Sequence, residues 1–118
     1  MANPNTPELD SQQLQTEDSD ASPACVMVFN ANDPSGAGGL TADITAITSA
    51  GAHPLSVVTG TYLRDTAEIF DHLAFDDDAV TEQARAALED MPVAAIKVGF
   101  VGSPENISTI AEIASDYS

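Results

Sequence analysis

The residues with the most chemical content lie in one stretch, NANDPSGAGGLTAD, residues 30–43. Gly36, Gly38 and Gly39 fall within four positions, and glycine lets a backbone approach a ligand closely. Asp33 opens this turn and Asp43 closes the segment. The stretch follows an apolar run and precedes a helical pattern, so the free N–H groups of a helix start face the same place. The known phosphate signatures fit poorly. There is no Lys for a P-loop, and Thr41 stands where the third glycine of G-x-G-x-x-G belongs. A tight strand-to-helix turn that needs glycine for geometry alone accounts for the same spacing.

Other titratable groups are sparse. Lys97 is the only Lys and lies within an apolar run, where it either balances a neighbouring acid or snorkels outward; it is assigned no catalytic role. Asp76, Asp77 and Asp78 read as a solvated helix start rather than a Mg²⁺ site. His53 and His72 lack the spacing of a metal site, so no metal ligand is assigned.

These residues need elements to position them. CVMVF, from Cys25, is a short apolar run ending in a dense turn signal, and reads as a buried strand. In the next segment Leu40, Ile44, Ile47 and Ala50 recur at helical spacing, with Gly51 suited to end the helix. PLSVVTG is a second strand, TYLRDTAE a loop, and IFDHLAF is compatible with a short strand. Val80, Ala84, Ala87 and Leu88 then mark one helix face, residues 94–98 a strand, and SPENISTIAEIASDY a helix. Ser103 is the N-cap of this last helix, and Ile107, Ile110, Ala111 and Ala114 are its apolar face. Alternating strands and helices imply an α/β fold with a parallel sheet.

Composition sets the limits. The chain has 118 residues, enough for one domain. Residues 1–24 carry three Pro, five acids and no base, and are expected to be a disordered acidic tail; the folded part is residues 25–118. Three Lys+Arg against 19 Asp+Glu give a net charge of −16. Such a surface repels phosphate backbones and anionic membranes, so neither nucleic acid nor a membrane is an expected partner. The chain shows no signal-peptide pattern and only one Cys, which together point to the cytoplasm.

Two blocks resemble one family. DPSGAGGLTADITAITSAGAHPLSVVTG is similar to the D-P-S-G-G-A-G-I-Q-A-D segment and the strand after it in hydroxymethylpyrimidine and phosphomethylpyrimidine kinases of thiamine biosynthesis. LEDMPVAAIKVGFVGSPENISTIAEI resembles the same family's L-x-D-[IM]-P-V-x-A-[VI]-K-I-G-M-L-G block. The resemblance implies a ribokinase-like, three-layer α/β/α fold, of which this chain carries the N-terminal half. It implies ATP and Mg²⁺ as cofactors and a hydroxymethylpyrimidine, or its monophosphate, as the small-molecule substrate. Carried over by residue, it places Asp33, Gly38, Asp43, Arg64, Gly99 and Phe100 at the substrate, with Phe100 as an apolar wall for a flat ring.

The chain also departs from the pattern. Arg64 replaces the family's Gln, which hydrogen-bonds the pyrimidine; Asn30-Ala31-Asn32 replaces A-G-S; and the glycine core reads S-G-A-G-G. No G-x-G-D loop, the family's site for its catalytic Asp, occurs in the 118 residues. The expectation is therefore a substrate-side half without catalytic residues, inactive alone. Its uncovered sheet edge and last helix favour self-association, for example as a homodimer. Two other readings stay open: a non-catalytic ribokinase-like ligand-binding protein, and a pyridoxal-type kinase.

Overall fold

The computed structural model describes residues 23–116. Strand β1 (Cys25–Asn32) is followed by α1 (Gly39–Ser49), β2 (His53–Arg64), β3 (Ile69–Ala74), α2 (Asp77–Asp90), β4 (Ala95–Val98) and α3 (Pro104–Asp116). The strands form one sheet in the order β3-β2-β1-β4. Strand β1 pairs in parallel with both β2 and β4, so its apolar run is covered on every side: Met27, Val28 and Phe29 are fully buried. The tail expected over residues 1–24 lies, apart from Pro23 and Ala24, outside the described residues.

Successive β1 side chains point to opposite sheet faces. Met27 and Phe29 meet Val57, the α2 residues Val80, Ala84 and Leu88, and the α3 residues Ile110 and Ile113, which together are the main core. Asn30, on the other face, reaches Asp43 of α1. One helix on one face and two on the other give the expected three layers. Among the described residues no helix is long and apolar enough to cross a membrane.

The sheet is mixed rather than wholly parallel. Strand β3 runs antiparallel to β2, because the four residues that join them are too few for a crossover. Asp65 closes this turn: its carboxylate accepts from the N–H groups of Ala67 and Glu68 at 2.8 and 2.9 Å. Pairing with β3 also extends β2 beyond Gly60. The stretch TYLR, read from sequence as loop, is strand because Thr61, Tyr62 and Leu63 lie opposite Leu73, His72 and Asp71.

Two helices are rotated from their apolar stripes. In α1 the buried residues are Leu40 and Asp43, while Ile44 is exposed. In α3 they are Asn106, Ile110 and Ile113, while Ile107 is 57% exposed. In both cases a buried polar side chain with hydrogen-bond partners outside its own helix sets the rotation. Asp43 bonds Asn30 and Lys97, and Asn106 Nδ2 donates to the carbonyls of Phe75 and Val101, both at 3.0 Å. Leaving the Asp43 carboxylate or the Asn106 amide donor unpaired in the interior would cost more than exposing one isoleucine edge, even though Asn106 Oδ1 accepts no hydrogen bond. Helix α2 follows its stripe, and Asp76 caps it by accepting from Ala79 N–H at 2.8 Å.

Candidate functional site

The site lies at the carboxyl ends of β1, β2 and β4, where ligands of open α/β sheets bind. The Gly-rich turn leaves β1 there. Asp33 organises it: Oδ1 accepts from the N–H and Oγ of Ser35 at 2.9 and 2.7 Å, and Oδ2 accepts from Gly38 N–H at 2.9 Å. Gly36 N–H closes the turn on Asp33 O at 3.0 Å, with Pro34 at the second turn position, which its ring favours. Gly39 has φ +60°, and a Cβ there would lie 2.5 Å from Ala31 O. Helix α1 begins at Gly39 with no side-chain cap.

Arg64, at the end of β2, turns back onto this turn. Its Nη1 donates to Asp33 Oδ2 at 3.3 Å, and its Nε donates to Asp65 O at 2.9 Å. Asp33 is almost fully buried. The Ser35 hydroxyl bond is the main cause that holds its carboxyl below the usual carboxylate range; the backbone bonds and the Arg64 charge add to it against the opposing effect of burial.

One face of the sheet, beside α1, holds a second group. Asp43 is buried, and its two oxygens accept from different elements: Oδ2 from Asn30 Nδ2 of β1 at 2.8 Å, and Oδ1 from Lys97 Nζ of β4. Burial is the largest influence and disfavours the ionised form of Asp43. The Lys97 and Asn30 hydrogen bonds and the Lys97 charge together outweigh it, so the carboxyl stays below the usual range. Asn30 Oδ1 also accepts from Phe100 N–H at 3.0 Å. Phe100 follows β4, and Thr59 Oγ1 donates to its carbonyl at 2.6 Å. Its ring meets Tyr62 at 5.2 Å, tilted by 46°, and the edge of His72 at 5.0 Å.

The six residues expected from the sequence therefore fall into two neighbouring groups. Asp33, Gly38 and Arg64 brace the turn, and Asp43, Gly99 and Phe100 converge with Asn30 and Lys97. An added Cβ at Gly99 would stand 2.5 Å from Asn30 Cγ, so the close approach the glycine permits is to Asn30. Sequence reasoning missed Asn30, Tyr62 and His72. A polar residue closing the apolar run CVMVF was the signal for Asn30; Tyr62 and His72 become neighbours only through the β2–β3 register. An apolar cavity of about 440 Å³ beside β4, lined by Leu88, Met91, Val93 and Ile96 among others, shares none of these residues.

The lowered carboxyls make a pH prediction. A carboxyl depressed on folding stabilises the fold above its unfolded value near pH 3.9, and that contribution is lost as pH falls through the lower folded value. Asp33, Asp43 and Asp65 all carry this sign. Acidification from pH 5 to pH 3 should therefore lower the denaturation midpoint and disperse the amide resonances of Ser35 and Gly38 from their native positions.

The three-layer α/β/α arrangement, with its Gly-rich strand-to-helix turn at the carboxyl edge of the sheet, has the ribokinase-like fold of the kinases on which it superposes. A pyridoxal kinase from Staphylococcus aureus, solved with AMP-PCP and pyridoxal, superposes with a TM-score of 0.74 at 22% identity, over 83% of this chain and 36% of that one. The chain belongs to the phosphomethylpyrimidine kinase family, whose profile matches residues 33–118. A phosphomethylpyrimidine kinase from Clostridium difficile superposes with a TM-score of 0.75 at 30% identity, over 80% of this chain and 41% of that one. The hydroxymethylpyrimidine/phosphomethylpyrimidine kinase of Streptomyces coelicolor is 29% identical over 77% of this chain and 34% of its own length. A thiamine biosynthesis multifunctional protein of Corynebacterium glutamicum is 30% identical over 90% of this chain and 14% of its own length. The chain thus spans about a third of the length of the single-function curated kinases it matches.

Proposed function

We propose that this chain carries the substrate-side half of a cytoplasmic kinase that transfers the γ-phosphate of ATP, with Mg²⁺, to hydroxymethylpyrimidine or its monophosphate. One observation carries the reading. In a chain of this family, a buried ionised acid, Asp43, and an aromatic wall, Phe100 with Tyr62 and His72, are joined through one residue at the carboxyl edge of the sheet. A carboxylate accepts from the donors of an aminopyrimidine, and an aromatic face suits its flat ring.

The described residues do not by themselves fit ATP and Mg²⁺. Among them no group of three His, Cys, Asp or Glu is placed to hold a metal ion. All three cations of the chain are already in ion pairs: Arg64 with Asp33, Arg85 with Asp116 and Lys97 with Asp43. Phosphoryl transfer depends on groups that stabilise charge on the transferring phosphate, so the chain alone is expected to bind substrate without turning it over.

The test is calorimetric titration of hydroxymethylpyrimidine into the 118-residue chain, beside a phosphoryl-transfer assay with Mg-ATP. Saturable binding without product supports the reading; absence of binding overturns it. The pairing of Arg64 with Asp33 favours a second reading, a ligand-binding relative of altered specificity, because Arg offers only donors where the family's Gln offers both kinds. Arg64→Gln should raise the affinity for hydroxymethylpyrimidine about tenfold by restoring an acceptor, as one hydrogen bond in a shielded site is worth about 1.4 kcal/mol. An unchanged or weaker affinity would instead show that Arg64 serves the turn and not the ligand.

A further inference from the structure

Asn30 is the one side chain that touches both halves of the Asp43–Phe100 group. It is 8% exposed and occupies the carboxyl end of β1, the strand at the centre of the sheet. Its amide orientation is fixed by its partners. Oδ1 accepts two backbone N–H groups, Ala31 at 2.8 Å and Phe100 at 3.0 Å, so only Nδ2 is left to donate to Asp43 at 2.8 Å. The chain makes room for it, because the space in front of Gly99 that a Cβ would need holds the Asn30 carboxamide. A shorter side chain here leaves Asp43 Oδ2 and Phe100 N–H without these partners in a buried place.

We infer that Asn30 is a positioning residue for the pyrimidine site, holding the Asp43 carboxylate and the Phe100 turn in register through one carboxamide. The inference rests on the reading of the site given above. Asn30 and Lys97 each bond a different oxygen of the Asp43 carboxylate, which fixes its orientation. The Phe100 ring, whose backbone N–H the same Asn30 carboxamide holds, stands at a set distance from that carboxylate. Asp43 and Phe100 share no direct hydrogen bond, and Asn30 is the side chain hydrogen-bonded to both, beside the tie that Lys97 of β4 makes to Asp43.

Asn30→Ala removes both bonds, whereas Asn30→Asp keeps the shape and the acceptor for Phe100 N–H but replaces the donor to Asp43 with a second carboxylate. In the isotopically labelled full chain, the Asp43 carboxyl is followed by NMR titration and hydroxymethylpyrimidine affinity by calorimetry. The expected result is that Asn30→Ala moves the Asp43 midpoint upward, shifts the Phe100 amide and weakens binding about tenfold. Asn30→Asp moves the midpoint upward further, because two carboxylates then share the site, while the Phe100 amide stays near its original position. Lys97 is the charged side chain bonded to Asp43. The unaltered chain gives a third reading that needs no variant: the Asn30 carboxamide protons should shift with the Asp43 midpoint. An Asp43 midpoint indifferent to both substitutions, or Asn30 protons that ignore its titration, overturns the inference. Failure of the unaltered chain to bind hydroxymethylpyrimidine would instead remove the reading of the site, with the titration still deciding whether Asn30 holds Asp43.

Discussion

Gly39→Ala should destabilise the protein by about 2–5 kcal/mol, from left-handed backbone strain and overpacking together. Both causes act at this one position. Its φ is +60°, in the left-handed region, and an added Cβ would stand 2.5 Å from Ala31 O and 2.9 Å from Asp33 Cβ. The first of these is backbone of the central strand and cannot rotate away. The Gly-rich turn would have to detach from the end of β1, and the Asp33 bonds to Ser35 and Gly38 would go with it. Gly36→Ala is the comparison. Gly36 also has a positive φ, +77°, but nothing lies within 4 Å of an added Cβ. Its cost should be only the left-handed strain, about 1–2 kcal/mol. Chemical denaturation of the two variants separates space from conformation. Equal costs would mean that the turn is not packed onto β1 in the way described.

The second large effect is on binding. Asp43→Asn keeps the size of the side chain and removes the charge. Hydrogen bonds to a charged group contribute about 1.5–3 kcal/mol, so affinity for hydroxymethylpyrimidine should fall about 10- to 100-fold. Stability should change much less. Lys97 is 56% exposed along its side chain and can turn to water, and the new amide oxygen can still accept from Asn30. A loss of folding as large as the loss of binding would make Asp43 a structural acid instead. Unchanged binding would remove it from the site.

Much of the fold was legible in the sequence because its strands are continuous apolar runs and its helix ends carry standard signals. The turn residues Asp33 to Gly39, the Asp76 and Ser103 caps and the Val80, Ala84, Leu88 stripe all follow from local chemistry. What local pattern missed was decided at a distance. Strand β2 extends to Arg64 only because β3 folds back on it, a pairing that the polar stretch before Ile69 obscures. Helices α1 and α3 are turned by Asp43 and Asn106, whose partners lie 13 and 54, and 31 and 5, residues away along the chain. A hydrophobic stripe counts apolar residues and does not register a buried polar one.

The same reason limits the reading of the site. Asp33, Asp43 and Phe100 were marked by resemblance, and all three lie at the carboxyl edge of the sheet. Asn30 was visible only as a departure from the family pattern, and its role depends on Gly99, nearly seventy positions later in the sequence. Lys97, read from sequence as either balancing a neighbouring acid or snorkelling outward, does the first: it holds one oxygen of Asp43. Arg64 was placed at the substrate by resemblance, and its Nη1 donates to Asp33.

The most direct test of the proposed site is amide chemical-shift mapping of the labelled chain as hydroxymethylpyrimidine is added. Ala31, Gly39, Asp43 and Phe100 should move together and saturate, with Leu88 and Ile96 unmoved. Saturating shifts at Leu88, Val93 and Ile96 alone would place the ligand in the apolar cavity beside β4 and contradict the assignment of the site to the carboxyl edge of the sheet.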